Sequence, residues 1–196
     1  MFDKGSKASP AEKTAETQVI AVVGPMAAGK NYICRQLEQE GWASIDADLL
    51  VHSAIEIAKD RILQTFTSYA AQQNLTLTRA DGTIDRRALG QILFANPELL
   101  KIQESIVYPI ITEKIEEFIK NHDKTIINAT VLYKTPELLF RCEKILFVTA
   151  PFFTRLHRAR CRDHLPLKQI LKRFHAQRHL LKEYRKFNIP VEIVHN

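Results

Sequence analysis

Cysteine is scarce in this 196-residue sequence. Cys34, Cys142 and Cys161 are scattered and odd in number, and no C-x-x-C pair occurs. Neither a disulfide framework nor a zinc site is suggested, and a reducing compartment, the cytoplasm, is the natural reading. Long apolar runs are missing as well. None approaches the ~18 residues that span a bilayer, so no membrane partner is expected. The N-terminus lacks the charged-then-apolar pattern of a secretory signal. Internal repeats and low-complexity tracts are absent from the sequence. What is there is an ordinary globular balance, 45% apolar and 26% charged, in a length suited to one sizeable α/β domain with an insertion.

The net charge of +6 is concentrated. Residues 151–186 hold eleven Lys or Arg against two acids, a local +9 that leaves −3 for the rest. Such a segment calls for a polyanionic partner, either nucleic acid or the phosphates of a small substrate.

Residues 1–17 are polar and without period, and read as a flexible N-terminal extension. Gln18–Val23 is a short β-branched apolar run, the mark of a buried parallel strand. It leads through Gly24-Pro25 into a helix expected from about Gly29 to Glu40. Further strands are expected at 42–45, 125–129, 144–149 and 191–194. Between the second and third lies a helical stretch, about 49–121. Its punctuation is an Asp81-Gly82 turn and an Asn96-Pro97 cap. The final third is helical again, with Leu167, Ile170, Leu171, Phe174, Leu181 and Tyr184 as one stripe expected to pack on the core.

Gly24-Pro25-Met26-Ala27-Ala28-Gly29-Lys30 fits G-x-x-x-x-G-K between a strand and a helix. The pattern turns backbone N–H groups toward phosphate oxygens, and glycine allows the required φ and close approach. The helix N-terminus faces the same anion, and Lys30 reaches the β- and γ-phosphates. The motif predicts an ATP site formed by Gly24 through Lys30, with Asn31 and Tyr32. Asn31 stands where a Ser or Thr hydroxyl usually ligates Mg²⁺. Its amide oxygen can serve the ion, and a water-mediated contact is expected because Mg²⁺ dehydrates reluctantly.

Asp46 and Asp48 stand at the carboxyl end of the second strand, the edge that faces the ligand crevice in open α/β sheets. Two acids there can orient Mg²⁺ or accept a proton from an attacking hydroxyl. The lesser alternative is that one of them merely caps the next helix. Arg155, Arg158 and Arg162 share one helical face, suited to a lid over transferring phosphate, while Arg160 points elsewhere. His175 and His179 have metal-ligand spacing but no acidic or cysteine partner nearby, and read as a surface pair.

These segments together resemble the bacterial dephospho-coenzyme A kinase family from about Val19 to Asn196. The resemblance rests on the phosphate loop, on Ile45-Asp46-Ala47-Asp48-Leu49-Leu50, on Asp81 through Leu89, and on Pro151 through Arg158 and Arg162 to Gln177. It implies transfer of the ATP γ-phosphoryl to the ribose 3′-hydroxyl of dephospho-CoA, with Mg²⁺. It implies an α/β P-loop NTPase fold: a parallel sheet flanked by helices, with a helical substrate-domain insertion and a helical lid. The core would comprise 18–48, 122–151 and 183–196, the helical substrate subdomain 49–121, and the lid 152–182, all in one kinase domain, 18–196. By the same resemblance Asp48 is the general base with Asp46 as helper and metal ligand. Lys30, Arg158 and Arg162 act on the phosphates, and Asp48, Arg86 and Tyr108 face the acceptor. Three departures stand out: Asn31, Tyr108-Pro109 in place of His-Pro, and the run Asn128 to Lys134 in place of one beginning with Asp.

Two other readings use the same residues. One is a P-loop kinase with a nucleoside or nucleotide acceptor, which the Asp81–Leu89 match disfavours. The other is a nucleotide- or RNA-binding regulator without catalysis, motivated by the basic segment and Asn31. RNA binding calls for aromatics interleaved with the basic residues, and Phe174 and Tyr184 lie instead on the apolar stripe.

Overall fold

The computed structural model describes residues 17–163 and 166–196. The expected N-terminal extension lies outside the described residues apart from Thr17. β1 (Gln18–Val23) is the central strand, and every residue after Gln18 is buried. Successive side chains of a strand point to opposite faces. Val19, Ala21 and Val23 therefore enter one hydrophobic cluster, and Ile20 and Val22 enter another. Burial on both faces is why β1 reads as an unbroken apolar run.

The sheet has five parallel strands in the order β2-β3-β1-β4-β5. Its other members are β2 (Ala43–Asp46), β3 (Lys124–Ala129), β4 (Lys144–Thr149) and β5 (Val191–His195). Parallel neighbours need crossovers, and helices supply them. α1 (Lys30–Gln39) covers one face with Ile33, Cys34 and Leu37. The β2-to-β3 crossover carries α2 (Ala47–Ile57), α3 (Lys59–Ala71), α4 (Arg86–Ala95) and α5 (Pro97–Lys120). Asp85 and Asn96 cap α4 and α5 with their side chains, and Pro97 occupies the first turn of α5. Asp81 accepts from the Thr83 backbone N–H and hydroxyl across the Gly82 turn.

These inserted helices share their core with the sheet. Ile62 and Phe66 of α3, Leu89 and Ile92 of α4 and Ile115 of α5 are essentially inaccessible, in the same cluster as Val19 and Ile127. Each such side chain contributes about 1.5–3 kcal/mol of burial.

A 3₁₀ turn (Leu132–Lys134) and α6 (Pro136–Leu139) link β3 to β4. Between β4 and β5 come α7 (Phe152–Asp163), α8 (Leu167–Ala176) and α9 (Leu180–Tyr184). The stripe expected over Leu167–Tyr184 is divided. Ile170 and Phe174 close a small cluster with Ala159 and Met26, Tyr184 is buried in the main core, and Leu167 and Leu171 remain exposed. The break between α8 and α9 at residues 177–179 puts the two halves out of phase.

Strand register sets the site. Val23 lies opposite Ala129, and Asp46 opposite Asn128. The phosphate loop after β1, the acids at the end of β2 and the residues at the end of β3 thus meet at one sheet edge, where ligands bind in open parallel sheets.

Candidate active site

The loop leaving β1 is shaped by two glycines. Gly24 has φ +151°, and a Cβ there would overlap the Val148 carbonyl oxygen. Gly29 has φ +100°, and a Cβ there would overlap the Asn196 side-chain amide. Ala27 also takes a left-handed conformation, φ +60°. No side chain caps α1 at Gly29, and its first turn holds no acid. The leading N–H groups of α1 have no intrahelical partner, an arrangement that receives an anion.

Lys30 Nζ donates to the Gly24 carbonyl at 3.2 Å and to Thr130 Oγ1 at 3.1 Å. The Thr130 hydroxyl in turn donates to Asp48 Oδ2 at 2.8 Å, and its backbone N–H approaches Asp48 Oδ1 at 3.3 Å. One hydroxyl thereby links the loop lysine to the acid. Desolvation lowers the Lys30 pKa below its ordinary value, opposed by Asp48 and Asp46 and assisted by Arg162. An arriving polyphosphate supplies the negative charge that this lysine is short of.

Asp48 sits in the first turn of α2, and Asp46 is that helix's N-cap, accepting from the Leu49 N–H at 3.1 Å. Both readings of Asp46 thus meet in one residue: it caps, and its second oxygen faces the site. Burial raises its pKa, against the lowering Leu49 hydrogen bond and with the help of Asp48. Asn128 Nδ2 donates to Asn31 Oδ1 at 2.9 Å and to Asp46 Oδ2 at 3.3 Å. Asn128 Oδ1 is buried without a hydrogen-bond partner among the described residues. Oxygen donors from Asn31, Asp46 and Asn128 gather here, and an oxygen-only set fits a hard divalent cation.

The sequence model of the dephospho-CoA kinase family matches residues 18–192. The chain belongs to the dephospho-CoA kinase family. A Treponema denticola dephospho-CoA kinase is 35% identical over 187 residues, covering 92% of this chain and 83% of that protein. The Treponema pallidum enzyme of the same name is 34% identical over 165 residues, covering 82% and 78%. A crystal structure from Thermus thermophilus superposes with TM-score 0.74 at 25% identity, covering 92% of this chain and 89% of that one. A Campylobacter jejuni dephospho-CoA kinase, TM-score 0.59 at 23% identity, shares the fold. The family's enzymes are phosphotransferases with an alcohol acceptor.

Arginines of α7 reach the loop that follows β1. Arg158 Nη1 is 3.4 Å from the Ala28 carbonyl, which also accepts from Asn196 Nδ2 at 3.0 Å. Arg162 is near enough to Lys30 to depress its pKa, and Arg160 is exposed. Arg155 Nε donates to the Met26 carbonyl at 3.0 Å, with its guanidinium 4.2 Å above the Phe174 ring. Tyr32 points away from the loop: it is half exposed, and its hydroxyl accepts from Gln36 one turn along α1. Tyr108 borders a cavity of about 70 Å³ beside Asp48, walled also by Val51, Ile111 and Leu132. Arg86 is exposed at the start of α4, close enough to His52 of α2 to lower its pKa after desolvation has done so. A second cavity, about 500 Å³, lies under α7 and α8 against Pro25 and Phe147. His175 and His179 both contact Arg178, at 2.8 and 2.7 Å, so a cation sits between them.

Thr130, Asn128 and Tyr184 join the site without having been picked from the sequence as site residues. The Tyr184 hydroxyl accepts from the Leu132 N–H at 2.9 Å and donates to the Thr130 carbonyl at 3.0 Å. The strand-end rule that singled out Asp46 applies equally to β3, and would have found Asn128 and Thr130.

Proposed function

We propose that this chain transfers the γ-phosphoryl group of ATP to the ribose 3′-hydroxyl of dephospho-CoA, giving coenzyme A and ADP. Family membership supports the reaction, and the Lys30–Thr130–Asp48 bridge is the observation that carries the residue roles. Asp48 accepts the proton of the attacking hydroxyl. The acceptor oxygen bonds to the γ-phosphorus, the bond to the β,γ-bridging oxygen breaks, and ADP leaves with that electron pair. Thr130 orients the carboxylate. Lys30 and the N–H groups of Ala27, Gly29, Lys30 and Asn31 hold the phosphates, and Arg158 and Arg162 stabilise the charge that spreads over the transferring group. Tyr108 and Arg86 serve the acceptor side, on the helical subdomain 49–121; the arginines belong to the lid 152–182. Mg²⁺, held by Asp46 and, directly or through water, by Asn31, would neutralise charge on the β- and γ-oxygens.

The test is ATP-dependent conversion of dephospho-CoA, followed by product mass, with nucleosides and nucleotides as competing acceptors. Asp48→Asn should abolish transfer and leave binding of a non-hydrolysable ATP analogue close to that of the parent chain. Preferred phosphorylation of another acceptor refutes the substrate assignment. A fully active Asp48→Asn variant removes the base.

A further inference from the structure

The phosphate loop and the lid are joined at one residue. Met26, third in the loop, is 8% exposed, and its side chain is packed in the lid's own cluster with Ala159 of α7 and Ile170 and Phe174 of α8. Its backbone N–H donates to Gln177 Oε1 at 2.7 Å, and its carbonyl accepts from Arg155 Nε at 3.0 Å. Both main-chain polar groups of a phosphate-loop residue are thus taken by lid side chains. Gln177 ends α8, and Arg155 is held flat over Phe174 at 4.2 Å. The next residue, Ala27, is left-handed with φ +60°. A residue with a Cβ is strained in that region, whereas glycine enters it freely.

We infer that Arg155 and Gln177 are positioning residues for nucleotide binding: by clasping Met26 from both sides they hold Ala27 in the left-handed conformation that keeps the loop open to phosphate. The loop here does not maintain its shape by glycine alone. With the clasp removed, the Met26–Ala27 peptide is released to rotate toward ordinary right-handed or extended backbone, and the loop N–H groups lose their common direction. The lid then acts on ATP in two ways, through Arg158 and Arg162 toward the phosphates and through Arg155 and Gln177 on the loop beneath them.

This inference rests on the phosphate-loop reading, and the experiment separates the two. ATP affinity is measured by titration calorimetry on the full chain, at a temperature where every variant is shown folded by circular dichroism. Variants are Gln177→Ala, Arg155→Ala, Ala27→Gly and the two doubles with Ala27→Gly. Gln177→Ala and Arg155→Ala should each raise the Kd for ATP about tenfold, equal to ~1.4 kcal/mol. In the Ala27→Gly background the same substitutions should raise it less than about threefold, because glycine takes the conformation without help. Equal effects in both backgrounds overturn the clasp and leave Arg155 and Gln177 as packing residues. Unchanged ATP affinity with a lowered melting temperature overturns it also. A parent chain that binds no ATP overturns both this inference and the phosphate-loop reading.

Discussion

Replacing Tyr184 by Phe removes one oxygen and keeps the ring. The ring is fully buried, edge-on to Tyr133 at 5.5 Å and to Phe147 at 6.3 Å, so no cavity is created. What is lost is the link from α9 to the segment after β3, where the hydroxyl meets the Leu132 N–H and the Thr130 carbonyl. A buried donor left unpaired costs about 1–3 kcal/mol, and an ordinary hydrogen bond contributes about 1 kcal/mol net. Leu132 is 3% exposed, which puts its amide in the first class. Thr130 is partly exposed, and its carbonyl can turn to water. The sum is a loss of about 2–4 kcal/mol. Urea unfolding should show it as a lower midpoint with an unchanged slope. Turnover should fall about tenfold as well, because the freed Thr130 is the residue that orients Asp48 and Lys30. A stability loss below about 0.5 kcal/mol, smaller than a single net hydrogen bond, together with normal turnover, refutes the reasoning.

Arg158→Ala should lower kcat about 10²-fold or more, the scale of a lost transition-state charge partner, and Arg160→Ala, on the exposed face of α7, should do far less; equal losses contradict the geometry. Asp46→Asn keeps an N-cap on α2 and removes a carboxyl whose folded pKa is raised above 3.8 by burial. Such a group destabilises the fold above its folded pKa and not below its unfolded one. The variant should therefore gain stability over the parent at pH 7 and lose that gain as pH falls through the raised folded pKa, with none left below about 3.8, read from urea midpoints; an equal gain at pH 3 refutes the electrostatic cause. Asn31→Ser should lower the Mg²⁺ concentration for half-maximal rate, since the Asn31 amide oxygen is already engaged by Asn128. No change, or a rise, means direct ligation by Asn31.

The parts legible in the sequence are those with local causes. β1 and β4 have the expected bounds because burial on both faces leaves a continuous apolar run. The start of α5 was marked by Asn96-Pro97, a cap that works within three residues. The phosphate loop was marked by glycines whose backbone no other residue adopts without strain. Roles set by strand register were harder to read. Asn128 matters because the β2–β3 pairing brings it opposite Asp46, 82 residues away along the chain. The stripe from Leu167 to Tyr184 suggested one packing face because periodicity is blind to a break between two short helices. Arg155 was grouped with Arg158 and Arg162 by spacing alone, and its grip on a carbonyl rather than a phosphate follows from where Met26 sits.

Every second residue after the middle of β3 has a partner from a different element. Asn128 reaches Asn31 of α1 and Asp46 at the end of β2. Thr130 reaches Lys30 of α1 and Asp48 of α2. Leu132 reaches Tyr184 of α9, which also holds the Thr130 carbonyl. Residues 128–132, from the end of β3 into the 3₁₀ turn, thus tie the Asn31–Asn128 amide pair, the Asp48–Lys30 bridge and the last helix of the β4-to-β5 crossover. A shift of α9 that broke the Tyr184 contacts would reach Asp48 and Lys30 through a single residue, Thr130. Coupling over so few bonds needs no long pathway: the same hydrogen bonds that fix the strand end also fix Asp48. That is why the largest effect on turnover from a residue off the phosphate site is expected at Tyr184, a residue with its phenol held protonated by burial and its only polar atom committed to this segment.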